Sequence, residues 1–420
     1  MFRVSKSILF RSITGVISST TAAAPYLTLF CLLHPMCAAA QYLRPKPGLH
    51  LISIQNKIPP GAARHFEDAR TAEAREDWQQ AESEYRKALE LAPDWAEAIV
   101  NLGIVLNRQG RADDAVVAFT RAAEINPQLL GAQLNLAITY FRSKHFREAE
   151  VPLRRALMID PANNQARGLL LLSLFALDRY PEVIDLGEKL LEAAPTDAAT
   201  LELMGRAFMK LRRYEKAVRV LEIRAKLQPQ SAEIYMLLGE ARDNAGDSEG
   251  AIREFNKAIA TRNPPGLPEL HYALGYVFWK LRRYDEADRE FRRELERDPN
   301  HPRSVYYLGN IALTKGDWKS ALAFLGRAAG ALPQDFPSRY DFGKALLQSG
   351  QIARAVDELV AAIELNSKNS AAHYQLGLAY RRLKRETEAQ REFALARELN
   401  KAEREDLEQK VQGEERKKKP

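Results

Sequence analysis

Few residues in this 420-residue chain are of the kinds that carry out reactions, and their spacing does not assemble a reaction centre. Both cysteines, Cys31 and Cys37, fall within the first forty residues, so the rest of the chain has no thiol for a disulfide, a zinc site or a nucleophile. The histidines beyond that stretch are His50, His65, His145, His271, His301 and His373, all far apart, and none is read as having a second ligand at a helical spacing. No His-Glu-x-x-His pair, no Gly-x-Ser-x-Gly nucleophile elbow, no glycine-rich phosphate loop closing on Lys-Ser or Lys-Thr and no Asp-rich calcium loop is read in the chain. Catalysis needs a nucleophile, a base and a charge stabiliser that converge. The expectation is a protein that is not an enzyme and uses no metal and no cofactor.

Charge and the N-terminus bear on partners and compartment. The net charge is +7, of which Arg3, Lys6 and Arg11 supply three, leaving +4 on everything after residue 40. That is too mild an excess to hold a nucleic acid, so no nucleic acid partner is expected. No acid occurs before Glu67, the run Tyr26 to Leu33 is apolar, and Ala38-Ala39-Ala40 precedes Gln41. A basic start, an apolar stretch and small residues at the exit read as a secretory signal over residues 1–40, cleaved after Ala40, with export to the periplasm or exterior. The same acid-free start also suits a mitochondrial transit peptide or an uncleaved membrane tether. Only eight residues run apolar without interruption, where a span needs about 20. A membrane is therefore expected only through an uncleaved N-terminal segment. Residues 41–61, with Pro45, Pro47, Pro59 and Pro60, read as a linker.

From residue 62 the chain repeats. Ala81, Ala115, Ala149, Val183, Ala217 and Ala251 are 34 residues apart; one step of 36 reaches Ala287, and 34 returns through Ala321, Ala355 and Ala389. Twelve residues before this column stand Gly103, Gly205, Gly239, Gly275, Gly309, Gly343 and Gly377, and four after it come bulky residues such as Tyr85, Phe119, Leu221, Phe255, Phe291 and Phe393. Prolines recur twelve residues after it, as in Pro93, Pro127, Pro161, Pro195, Pro229, Pro299 and Pro333. Small residues let two helices approach closely, the bulky residue fills the space that remains, and proline ends the second helix. Gly110, Gly246, Gly316 and Gly350 mark turns between helices, with Lys144, Arg212, Arg282 and Lys384 in the same column elsewhere. A single hairpin cannot bury its apolar face, so stacking of hairpins makes the core.

These columns resemble the tetratricopeptide repeat family. The resemblance implies an all-α fold: a right-handed α-α superhelix, a solenoid of ten tandem helical hairpins over residues 62–401, with a two-residue insertion near 264–267 and a capping helix and basic tail over 402–420. Unit four departs from the pattern with Leu171, Val183 and Gly187, and units five and seven place Arg224 and Glu294 in the second alanine column, where looser stacking is expected.

The resemblance also implies where a partner sits. In this family the first helix of each hairpin lines the groove through the second, fifth, ninth and twelfth residues of the unit. Those positions give an apolar zone of Val100, Ile104, Leu134, Ile138, Phe141, Leu172 and Phe175. They give an acidic zone of Glu202, Glu233, Glu240, Asp243 and Glu269, with Arg206 as its one cation. They give an aromatic zone of Tyr272, Tyr276, Trp279, Tyr306, Tyr340 and Tyr374. Asn101 and Asn135 occupy the sixth position, which in some arrays clamps a peptide backbone; Asp341 and Gln375 are weak substitutes there. The expected function is a non-catalytic scaffold that holds a protein or peptide partner in this groove at the cell envelope. The alternative is an envelope glycan bound on the aromatic zone.

Overall fold

A computed structural model describes residues 58–193, 196–261 and 267–417 of the chain. The expected signal over 1–40 and most of both the linker and the insertion near 264–267 lie outside these residues. Among the described residues there are twenty helices and no strand. The chain divides into two compact units, one ending at Arg224 and the other beginning at Ala225.

The first unit contains α1 (Pro60–Ala74), α2 (Trp78–Leu91), α3 (Ala96–Arg108), α4 (Ala112–Ile125), α5 (Leu130–Arg142), α6 (Phe146–Ile159), α7 (Asn164–Ala176), α8 (Tyr180–Ala193), α9 (Ala198–Lys210) and most of α10 (Tyr214–Leu227). The second contains α11 (Ala232–Asn244), α12 (Ser248–Ala260), α13 (Leu270–Lys280), α14 (Tyr284–Arg297), α15 (Pro302–Lys315), α16 (Trp318–Ala331), α17 (Phe336–Gln348), α18 (Ile352–Leu365), α19 (Ser370–Arg382) and α20 (Glu386–Lys417).

Each hairpin is closed by one backbone device. Glu76, Gly110, Lys144, Asp178, Arg212, Gly246, Arg282, Gly316, Gly350 and Lys384 all have φ between +55° and +90°. The next N–H donates back to a carbonyl five residues earlier, as Arg111 to Leu106 at 2.9 Å and Arg213 to Phe208 at 2.8 Å. This ends the first helix and reverses the chain in a few residues. The glycine column is where the two helices meet. A Cβ on Gly103 would lie 2.6 Å from the Phe119 ring, and one on Gly239 would lie 2.7 Å from Phe255, so only glycine permits the approach.

The departures from the repeat pattern are absorbed locally. In unit four Leu171 and Val183 are buried, and Met204 of α9 packs so close to Gly187 that a Cβ there would lie 2.5 Å from the sulfur. Gly187 therefore gives room to the next hairpin instead of opening a gap. Arg224 is buried and lies 3.6 Å from the buried Glu202. Glu294, 3% exposed, accepts from the backbone N–H groups of Glu269 and Tyr272, each at 3.2 Å. It takes two of the free donors at the start of α13, which begins after Glu269 in the left-handed conformation at φ +63°. The polar residues in the alanine column are thus tied in by partners, and the looser stacking expected there gives way to an ion pair and a helix cap.

Two boundaries differ from expectation. Pro59 and Pro60, read as linker, open α1, because proline's fixed φ and missing N–H suit the first turn. At the other end no separate capping helix begins at residue 402: α20 runs without a break from the tenth hairpin to Lys417, over a stretch free of proline.

Candidate partner-binding surface

The three groove zones meet different fates. Val100, Ile104, Leu134, Ile138, Phe141, Leu172 and Phe175 are each at most 7% exposed. The apolar zone is therefore not an open patch: complete burial of such a side chain is worth roughly 1.5 to 3 kcal/mol, and that drive removes all seven from water. Asn101 and Asn135 are buried with them, at 7% and 0% exposed.

Two of the five acids of the acidic zone, Glu202 and Asp243, are paired with cations, in each case with one from another helix. Glu202 pairs with Arg206 at 2.9 Å and faces Arg224 of α10. Asp243 pairs with Lys280 of α13 at 2.8 Å and accepts from Ser248 Oγ at 2.9 Å. Glu233 is exposed and Glu240 partly buried. Arg206 is thus not the zone's one cation. Glu269 carries no cation within salt-bridge distance among the described residues, and burial pushes its carboxyl above the usual range against the pull of His301 and Arg303.

The aromatic zone keeps access to solvent and is the ordered part of the surface. Tyr276 stacks on Trp279 with centroids 5.9 Å apart and on Tyr272 at 6.4 Å, and Trp279 meets Tyr307 at 4.9 Å. Tyr307, which the groove positions do not include, stacks on Phe291 at 5.2 Å and joins the outer rings to the core. A polar relay crosses three first helices. Trp279 Nε1 of α13 donates to Asn310 Oδ1 of α15 at 2.9 Å, and Asn310 Nδ2 donates to Asp341 Oδ2 of α17 at 2.8 Å. Tyr306 donates its hydroxyl to the same Asp341 oxygen at 2.9 Å. Lys344 stands 3.9 Å from the other oxygen and 5.3 Å above the Tyr340 ring. Burial, then the Asp341 charge, pushes the Tyr306 hydroxyl far up and the Tyr340 hydroxyl up to about 12, so both remain protonated donors. Tyr374 is 50% exposed against Phe393. Asp341, a weak substitute for asparagine by sequence, is the acceptor that holds the relay together.

Two further groups of residues matter to the chemistry. Gly246-Asp247-Ser248-Glu249-Gly250 does spell the pattern of a hydrolase nucleophile elbow, against the expectation that the chain has none. An elbow turns from a strand into a helix. Here the segment joins α11 to α12, Asp247 caps α12 by accepting from Gly250 N at 2.8 Å, and Ser248 donates to Asp243. It is a hairpin turn. The histidines are not all isolated either: His65, His271 and His373 each meet a glutamate of the following helix, Glu84, Glu290 and Glu392. Asp68 stands one turn after His65, a His-x-x-Asp signal that sequence inspection had the means to find.

Tandem hairpins closed by one turn type and joined through one small-residue column define a helical-repeat scaffold. Profiles described as Tetratricopeptide repeat match residues 66–129, 203–268 and 272–336, with another over 106–171, and a TPR repeat profile matches 343–384. The matches span more than half of the chain, which belongs to the tetratricopeptide repeat family. Proteins of this kind are generally non-catalytic scaffolds for protein–protein interaction. Anaphase-promoting complex subunit 3 of Schizosaccharomyces pombe is 27% identical over 166 residues, 40% of this chain and 25% of that protein. FK506-binding protein-like of Homo sapiens is 31% identical over 110 residues, 25% of this chain and 32% of that protein. The chain thus spans about a quarter to a third of the length of these curated relatives. Among solved structures, the APC/C hetero-tetramer Cut9-Hcn1 aligns with 89% of this chain and 80% of that chain at 17% identity and a TM-score of 0.44. YrrB, described as a TPR protein with an unusual peptide-binding site, aligns with 43% of this chain and 93% of that chain at 17% identity and a TM-score of 0.39. Both likenesses concern the fold alone. No helix among the described residues is long and apolar enough to cross a membrane.

Proposed function

We propose that the chain holds a protein or peptide partner on the first helices of its second unit, with Tyr276, Tyr340 and Tyr374 as contact rings and Lys344 as a charged neighbour. The observation that carries this is the relay Trp279–Asn310–Asp341–Tyr306, which fixes Tyr306 and also Trp279, the ring on which Tyr276 stacks, before any partner arrives. A surface ordered in advance loses less entropy on binding, and tyrosine offers ring area with a polar tip at low rotamer cost. The apolar zone of the first unit is buried and serves this reading only as support.

A photo-crosslinking residue at Tyr374 tests it, beside one at Val117, which is 69% exposed on the second helix of its hairpin. A polypeptide crosslinked from position 374 and not from 117, and lost when Tyr340 and Lys344 are replaced by alanine, is the expected result. Equal crosslinking from both positions overturns it. Retention on envelope polysaccharide that Trp279→Ala abolishes would favour a glycan instead; against that, Trp279 already packs on Tyr276 and Tyr307. Action at the cell envelope rests on the signal read over residues 1–40, and a mature N-terminus at Gln41 is the measurement that tests export.

A further inference from the structure

Three hairpins share one clasp. His65 Nδ1 of α1 lies 2.6 Å from Glu84 Oε2 of α2, His271 Nδ1 of α13 lies 2.7 Å from Glu290 Oε2 of α14, and His373 Nδ1 of α19 lies 2.6 Å from Glu392 Oε2 of α20. The residue one helical turn after the histidine separates them. In α13 and α19 it is a buried leucine, Leu274 or Leu376. In α1 it is Asp68, on the same helix face as His65, with its side chain 55% exposed. One ligand-type atom from each of His65, Asp68 and Glu84 lies within 4.8 Å of the other two.

The carboxylate between the helices is held in the manner of a metal ligand. Glu84 Oε1 accepts from Lys87 Nζ at 2.8 Å and Gln80 Nε2 at 3.1 Å, which fixes the group and leaves Oε2 directed at His65. Hydrogen bonds that orient a ligating carboxylate from behind are a regular part of protein metal sites. Among the described residues Asp68 pairs only with Arg64, at 4.0 Å, and has room to rotate toward the histidine.

We propose that the first described hairpin binds one divalent transition-metal ion, with zinc the best match, through His65, Asp68 and Glu84, water completing the shell. One imidazole nitrogen with two carboxylate oxygens suits zinc and its neighbours, whereas magnesium and calcium favour all-oxygen sets. Bonds of about 2.0 to 2.2 Å put neighbouring ligand atoms roughly 3 to 3.5 Å apart. Reaching that spacing moves the His65 and Glu84 atoms apart by less than about 1 Å and brings Asp68 in by at most roughly 1.3 to 1.8 Å, within the rotamer freedom of the part-exposed His65 and Asp68 side chains. The ion ties α1 to α2 in a hairpin otherwise joined by packing, the His65–Glu84 clasp and the hydrogen bond that the Tyr85 hydroxyl donates to Glu73.

The test titrates zinc chloride into the tag-free full chain by calorimetry, with cobalt(II) absorption as a spectroscopic check. One ion per chain is expected, roughly tenfold or more weaker in His65→Ala and in Asp68→Asn, with His271→Ala and His373→Ala unchanged. Zinc is expected to slow amide exchange in α1 and α2 and nowhere else in the first unit. Asp68→Asn alters an exposed side chain, so its effect does not depend on refolding. The proposal is overturned if no zinc binds at millimolar concentration, if His65→Ala or Asp68→Asn binds as the parent does, or if the His271 and His373 variants lose as much as His65→Ala.

Discussion

Val100 and Tyr306 are each the fifth residue of a repeat and stand on equivalent first helices, yet one is sealed and the other stays reachable. In the first unit the fifth and ninth positions read Val100, Ile104, Leu134 and Ile138, none more than 4% exposed. In the second they read Tyr306, Asn310, Tyr340 and Lys344, all partly exposed, with Tyr306, Asn310 and Lys344 drawn to Asp341 and Lys344 over the Tyr340 ring. A purely apolar side chain gains only by leaving water. An amphipathic one buries its ring and holds its polar tip where a donor or acceptor can reach it. The more hydrophobic zone is the less available one, which reverses the usual inference from an apolar stripe to a docking face.

The sharpest way to break this contrast is to charge both zones. Leu134→Asp puts a carboxylate at a fully buried site and should destabilise the first unit by more than about 3 kcal/mol, whereas Tyr374→Asp should cost within about 0.5 kcal/mol and still abolish partner capture. Urea titration beside a capture assay separates the two effects. Next in size, Asp341→Ala strands the Tyr306 hydroxyl and the Asn310 amide and should cost about 1 to 3 kcal/mol, with Asp341→Asn costing less. Glu294→Ala removes the acceptor at the start of α13, a loss of about 1 to 2 kcal/mol that amide exchange should place at the first turn of that helix.

Acid should act with opposite sign on two carboxyls, one in each unit. The Glu84 carboxyl is lowered by Lys87 and His65, so its contribution is present above its unfolded range and lost as pH falls through the folded value. The Glu269 carboxyl is raised by burial, so its contribution is complete below the unfolded range and lost as pH rises through the folded value. Amide exchange against pH should show α1 and α2 loosening in acid while the start of α13 tightens, each trend abolished by Glu84→Gln or Glu269→Gln. The smallest effect is in the turns. Arg212→Gly should stabilise by about 0.5 kcal/mol, since the left-handed penalty of roughly 1 kcal/mol slightly exceeds glycine's entropic cost.

Much of this was legible from single residues. The glycine column and its bulky partner sixteen residues on meet as their sizes require, and Lys144, Arg212, Arg282 and Lys384 take the same left-handed turn as the glycines they stand for. Pairs drawn from different helices were not legible. Arg224 and Glu294 read as defects in an alanine column until Glu202 and the α13 N-terminus appear beside them. A set of groove positions drawn from first helices alone leaves out Arg224, which comes from a second helix, and Lys280, which occupies a different position on its own first helix; those two give Glu202 and Asp243 of the acidic zone partners from another helix.

The sequence by itself determined the all-α hairpin array, its period, its turns and the residues at which helices touch, because each depends on the size or backbone freedom of one residue at one position. The tertiary structure alone decided which groove residues remain accessible, which charges are paired across helices and which histidines meet a glutamate of the next helix. Burial and pairing are properties of neighbours, and those neighbours lie on another helix, tens of residues away in the chain, brought within reach only when the hairpins stack.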